Sequence, residues 1–224
     1  MKFLLMCGIL PVIASVLLRK FFCDRILKRE QTNMVSLTGG AFVIALLKKG
    51  GASEVEVEEK KRPFLPITPK KLILAPKLVE SKCAIDVASA GLLAGLVLVA
   101  RQQEKVFGWR QWAVKFGWAG PAFTVAIVIF GALSKTFAVG MAIGILFKVL
   151  GIASIALWFT MPVEREAAKK VAYFLEESNV VPRASEAEQL AVIVRALAWQ
   201  RLVPGCVEWL VPKPKQDPKL KLEN

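Results

Sequence analysis

No histidine occurs among the 224 residues. Histidine is the commonest metal ligand and the usual general base near neutral pH, so zinc peptidase, serine hydrolase and haem-ligation readings all weaken together. Cysteine is scarce as well: Cys7, Cys23, Cys83 and Cys206 are scattered with no C-x-x-C spacing. That pattern gives neither a zinc knuckle nor a disulfide framework, and the four are read as free thiols on a reducing face or in apolar surroundings. Acidic residues are few, 18 Asp and Glu against 31 Lys and Arg, leaving a formal net charge of +13. What is abundant is apolar sequence. The chain is 55% hydrophobic with a mean hydropathy of +0.49, high for a soluble domain and consistent with surfaces that face lipid or other protein.

A basic balance of this size fits nucleic acid, anionic lipid or acidic protein partners. The placement of the charges decides between them. Lysines and arginines flank long apolar runs instead of forming a basic face interleaved with exposed aromatics. Membrane is therefore the expected setting, with anionic lipids as partners and no nucleic acid.

Three apolar segments are expected to span. Residues 1–22 form an N-terminal anchor: Phe3 to Leu18 is continuous apolar sequence followed by Arg19 and Lys20. Its sixteen residues rise about 24 Å as a helix, so Phe21 and Phe22 are needed at the interface of a roughly 30 Å hydrocarbon core. Pro11 predicts a kink. Residues 116–160 form a tight helical hairpin, its two apolar runs joined by Ser134, Lys135 and Thr136. Gly140 and Gly144 make a G-x-x-x-G that permits close helix packing. Lys148 is an intramembrane charge, costly at mid-bilayer unless it snorkels, meets a carboxylate or lines a wet cavity. A fourth stretch, Ala84 to Ala100, contains Asp86 and Ser89. If it spanned, the basic clusters would fall on both sides; the positive-inside rule therefore predicts that it is buried in the inside region or lies at the interface.

The remaining segments read as an inside-facing α+β region over 23–115, an amphipathic helical hairpin over 161–210 and a basic, Pro-rich tail over 211–224, expected to be held by a partner. In the first, Ser36 or Thr38 caps a helix running to Lys49, and Gly50 and Gly51 end it. Glu54-Val55-Glu56-Val57-Glu58 alternates charge and valine, as a half-buried strand does, with its carboxylates on a solvated face. Lys71 to Ala75 is a second strand. Pro63, Pro66 and Pro69 lie between them, predicting a β-hairpin. In the helical hairpin, Pro162 opens a helix with Ala167, Ala168, Val171, Phe174 and Leu175 on one face. Ser185 opens the next, with Leu190, Ile193, Val194, Leu197 and Ala198 inward. The fold class is thus an α-helical integral membrane protein with a small α+β insert and about three transmembrane helices.

The order of these fragments carries a resemblance. Leu37-Thr38-Gly39, Ala45-Leu46-Leu47, Gly50, Val55-Glu56-Val57 and Leu72-Ile73-Leu74-Ala75-Pro76 come first. An alanine-rich helix and an apolar hairpin follow, then Pro162-Val163-Glu164, Ala167-Ala168 and Phe174-Leu175-Glu176-Glu177. Together they resemble the YugP-type neutral zinc metallopeptidases, over about residues 20 to 200. The resemblance implies a helix after the second strand carrying His-Glu-x-x-His, two ligands one turn apart with a glutamate base. At the matching place this chain has Ala90-Gly91-Leu92-Leu93-Ala94. The expectation is a degenerate homologue, with no catalytic residue, no metal and no cofactor transferred.

The functional expectation follows from that departure. A polar site that no longer binds metal would leave buried groups unpaired, and apolar replacement turns it into a packing surface. The chain is expected to be a pseudoenzyme: a non-catalytic accessory subunit of a hetero-oligomeric membrane complex, in a respiratory or ATP synthase assembly of the mitochondrial inner membrane. A thylakoid or bacterial plasma membrane is the alternative location. Alternative functions are a small transporter or channel element using Lys148, or an enzyme with a non-histidine site built on Cys83 or Cys206. Trp109, Trp112, Trp118 and Trp158 are expected in interfacial belts and subunit contacts.

Overall fold

A computed structural model describes residues 2–61, 67–135, 138–177 and 180–210. The order is α1 (Lys2–Arg19), a π-helical turn (Lys20–Asp24), α2 (Arg25–Arg29), α3 (Gly39–Lys49), β1 (Glu56–Glu59), β2 (Lys71–Leu74), α4 (Pro76–Glu80) and α5 (Ala84–Gln102). Then follow α6 (Glu104–Leu133), α7 (Val139–Trp158), α8 (Met161–Glu177), α9 (Ala184–Leu197) and two short 3-10 segments. Contacts divide the chain into two compact units. The expected tail over 211–224 lies outside the described residues, as do Pro63 and Pro66.

One unit holds α1, most of α6, α7 and the 3-10 segments. Its helices meet through small residues. A Cβ on Gly8 of α1 would stand 2.5 Å from the Phe147 carbonyl oxygen of α7, and one on Gly151 of α7 would stand 2.8 Å from the Gly8 carbonyl. Only glycine permits that approach, and it brings the Trp158 indole N–H to donate to Ser15 Oγ at 2.8 Å. A small cluster of Ala113, Ala156 and Leu157 joins α6 to α7. Most of α6 is otherwise open: Phe123 and Phe130 are 70% and 73% exposed. The helix is also longer than the expected run from 116, continuous from Glu104 through Arg110 and Lys115.

The other unit runs over Phe22–Phe107 and Pro162–Trp199 and contains one continuous apolar core. Thr38 caps α3, its hydroxyl accepting from the Ala41 N–H at 3.4 Å. The core face of α3 is Phe42, Val43, Leu46 and Leu47. The expected inward faces of α8 and α9 are the buried ones, except that Phe174 is half-buried. Two strands form the sheet, with Leu72 and Leu74 fully buried.

The pairing of those strands corrects the expected hairpin. β1 and β2 are parallel, Glu56 opposite Lys71 through Glu59 opposite Leu74. The cause is a reversal just before β2. The Thr68 backbone N–H donates to the Lys71 carbonyl at 2.8 Å, the Thr68 hydroxyl accepts from the Lys71 N–H at 3.0 Å, and Ile67 bridges antiparallel to Leu72. Ile67 thus runs antiparallel to β2, and the turn at Thr68 leaves β2 pointing along β1.

Among the described residues, three helical stretches are long and apolar enough to cross a membrane: Ala84–Gln102, Glu104–Leu133 and Gly140–Glu177. The two helices of the expected hairpin are among them, and α5 is the third. Burial separates the three. The apolar window of α5 is 78% buried inside the protein, against 17% for α6 and 33% for the stretch containing α7. As expected from the charge distribution, α5 serves as a core helix.

Candidate functional site

The site position expected from the resemblance falls on α5, and the segment leading into that helix is tightly tied. The Val35 N–H donates to the Lys82 carbonyl at 2.9 Å, the Ala84 N–H to the Asn33 carbonyl at 2.9 Å, and the Gly39 N–H to the Ser81 carbonyl at 3.1 Å. Ser81 Oγ donates to Asp86 Oδ2 at 2.9 Å and accepts from the Cys83 N–H at 3.1 Å. Asp86, an acidic group in the first helical turn where the helix dipole favours it, is thereby partnered. Within the helix, Ser89 Oγ donates back to the Ile85 carbonyl at 2.7 Å. Asp86 and Ser89 thus each have a partner within the chain.

One turn further lie Ala90, Gly91, Leu92, Leu93 and Ala94. Ala90 and Ala94 are 0% exposed, Leu92 is 7% exposed, and Leu93 packs half-buried against the same core. Gly91 is the informative position. A Cβ there would lie 2.4 Å from Cε1 of Phe42, so the α3 phenyl ring occupies the volume that any side chain at 91 would need. The next glycine in the helix, Gly95, is closed by α8: its Cβ would lie 2.7 Å from both the Ala167 carbonyl oxygen and Val171 Cγ2. These five residues present no side-chain donor to a metal, and ring and backbone fill the space beside them. A zinc ion with a glutamate base does not fit this chain at that place. Among the described residues, no group of three or more His, Cys, Asp or Glu is arranged to hold a metal ion.

Polar clusters elsewhere in the same unit are structural in kind. Glu186 accepts from the Ser36 backbone N–H at 2.9 Å and from its hydroxyl at 2.7 Å, with Arg183 alongside at 3.3 Å. These bonds, the backbone one foremost, hold its carboxyl below the usual range despite burial. It ties the start of α9 to the residue two before the α3 cap. Glu54 and Glu56 are exposed as expected, whereas Glu58 is half-buried and hydrogen-bonded to Lys71. That bond lowers the Glu58 carboxyl, as the Arg101 hydrogen bond lowers Glu54.

Cys83 and Cys206, the two candidate nucleophiles, differ in their surroundings. Cys83 is half-buried, its thiol 3.9 Å from the Gln31 carbonyl oxygen. Burial pushes the Cys206 thiol up, away from the thiolate that attacks.

In the α7 unit, Lys148 is exposed. Gly140 is exposed too, and a Cβ on Gly144 would meet nothing within 4 Å among the described residues. The close approach occurs instead at Gly8 and Gly151, a pairing no local motif announces. Trp109, Trp112 and Trp118 are exposed by 44%, 49% and 53%, with the first two rings stacked at 4.9 Å.

Residues 1–203 match the family described as putative neutral zinc metallopeptidase. No curated protein and no solved structure matches the chain. The family match covers the anchor, the α+β region, the apolar helices and both amphipathic helices; the chain belongs to this putative neutral zinc metallopeptidase family.

Proposed function

We propose that the chain is a non-catalytic member of its family, serving as an accessory subunit of a hetero-oligomeric membrane complex. The observation that carries the reading is at Gly91. The position where the family's glutamate base would stand is a glycine whose side-chain volume is taken by Phe42. The ligand positions on either side are the fully buried alanines Ala90 and Ala94. A helix of this kind stabilises a fold; it does not polarise a peptide carbonyl. The largely exposed apolar surface of α6 supports the assembly half of the reading, because contiguous exposed apolar area marks contact with lipid or protein.

The setting proposed is the mitochondrial inner membrane, in a respiratory or ATP synthase assembly. The basic balance and the scattered cysteine spacing support a reducing, anionic-lipid-rich membrane face. Extraction of native membranes in mild detergent, followed by native mass measurement, tests it. The chain is expected in a stoichiometric complex with other membrane subunits; a chain that runs alone or only with copies of itself contradicts the proposal.

A further inference from the structure

The subunit reading leaves open where a neighbour docks, and one face of α7 answers on the basis of that reading. Met141, Lys148, Ile152, Ile155 and Phe159 recur at spacings of seven, four, three and four, which places them in one stripe along the helix. All five are exposed, Phe159 by 67% and Ile152 by 55%. The opposite side of the helix is closed by Ala142, Leu150, Ala153, Ser154 and Leu157, all buried. One face of α7 is therefore complete within the chain, and the other presents large apolar side chains around a single cation.

Lys148 has no hydrogen bond or ion pair among the described residues. It is the tenth of the 20 residues of α7, so about 15 Å of helix separates it from either end. Its four-carbon stem is too short to carry the ammonium to an interface that far away. Lipid phosphates lie beyond those ends and are out of reach for the same reason. In a seam between helices a carboxylate at the same depth satisfies the charge, as water does in a wet cavity. Gly144, one turn earlier, leaves open space beside the lysine.

We propose that this stripe receives a transmembrane helix of another subunit, with an Asp or Glu at mid-membrane depth paired to Lys148. Apolar residues a turn or two away on that helix pack on Met141, Ile152, Ile155 and Phe159. The pair sets depth and register, and the apolar contacts supply area, as a lone polar group does at a helix seam.

The test applies a membrane-permeant carbodiimide to native membranes carrying the full chain. The reagent activates a carboxyl group, and a lysine amine in contact with it displaces the activating group to leave an amide. Peptide mapping is expected to find Lys148 joined to an acidic residue in an apolar segment of a different chain. The internal Lys71 to Glu58 link reports that the reagent acted. Lys148→Met is expected to abolish the intermolecular link and to lower retention in the complex about tenfold, while Lys148→Arg keeps retention. Three outcomes overturn the proposal: an unlinked Lys148 beside a formed Lys71 to Glu58 link, unchanged retention of the methionine variant, or a bound anionic lipid lost with the lysine and no protein link. If the chain runs alone in mild detergent before any cross-linking, the subunit reading itself fails; if it runs in a complex with Lys148 unlinked, only the docking site fails.

Discussion

Helices α5 and α7 are built from nearly the same alphabet and do opposite things. Both are about 20 residues, mostly alanine, glycine, leucine, isoleucine and valine; α5 carries two charges, Asp86 and Arg101, and α7 carries one. In α5 the charges stand at the two ends, Asp86 hydrogen-bonded to Ser81 and Arg101 to Glu54, and the apolar stretch between them is largely enclosed by neighbours. In α7 the charge is Lys148 at the midpoint, exposed, and the helix is closed along one side alone. Hydropathy does not separate the two, because it counts apolar residues without asking what they touch. The difference lies in where the glycines sit. Gly91 and Gly95 of α5 both face a ring or a backbone carbonyl from other helices, whereas in α7 Gly151 is closed by α1 and Gly144 faces open space.

The strongest way to break this contrast is to rebuild the missing motif. Ala90→His, Gly91→Glu and Ala94→His together place three polar side chains at buried positions, one of them into the Phe42 ring. The expected result is loss of the folded unit, a cost of at least about 4 kcal/mol from overpacking and unpaired buried polar groups. Detergent-solubilised thermal unfolding reads it. The single change Gly91→Ala is milder, about 1–3 kcal/mol, and is expected to be partly relieved by Phe42→Leu; additive losses would mean that the ring is not the obstacle.

Next in size is Gly8→Ala at the α1 to α7 crossing, where the obstacle is a backbone carbonyl that cannot rotate away. A loss of about 1–3 kcal/mol is expected, with the indole of Trp158 becoming more solvent-exposed by fluorescence as its bond to Ser15 opens.

Glu186→Gln removes the charge from the Ser36 hydrogen bonds and should cost about 1–2 kcal/mol near neutral pH. The folded carboxyl is held below its usual range, so its stabilisation is present above the unfolded pKa of about 4.3 and fades as pH falls through the lower folded value. Unfolding followed from pH of about 6 down to about 3 should therefore show the wild-type advantage over the glutamine variant shrinking; an advantage that grows in acid has the wrong sign for this mechanism.

Smallest of all is Gly144→Ala. With nothing within 4 Å, the added methyl is expected to leave the unfolding midpoint of the isolated chain unchanged or slightly raised. A clear loss in the isolated chain would place Gly144 in a contact within this chain.

Much of the fold was legible because helices announce themselves locally. The Thr38 cap, the inward faces of α8 and α9 and the buried fate of Ala84 to Ala100 follow from periodicity and charge placement. The strand direction was not, since prolines between two strands are compatible with either sense and the deciding turn at Thr68 depends on two hydrogen bonds to Lys71. The reach of α6 back to Glu104 was hidden because Arg110 and Lys115 precede the apolar run from 116, yet they sit within a continuous helix. For the candidate site, the fragment order located the position and the side chains there excluded the metal chemistry. What occupies the space instead is Phe42, some fifty residues away in sequence, and no local pattern identifies it.

Zinc content measured on the full chain purified from native membranes without chelator addresses the central claim most directly. The account predicts no stoichiometric zinc, because Ala90, Gly91 and Ala94 supply no ligand or base. One zinc ion per chain, lost together with hydrolysis of a peptide substrate on chelation, would contradict it.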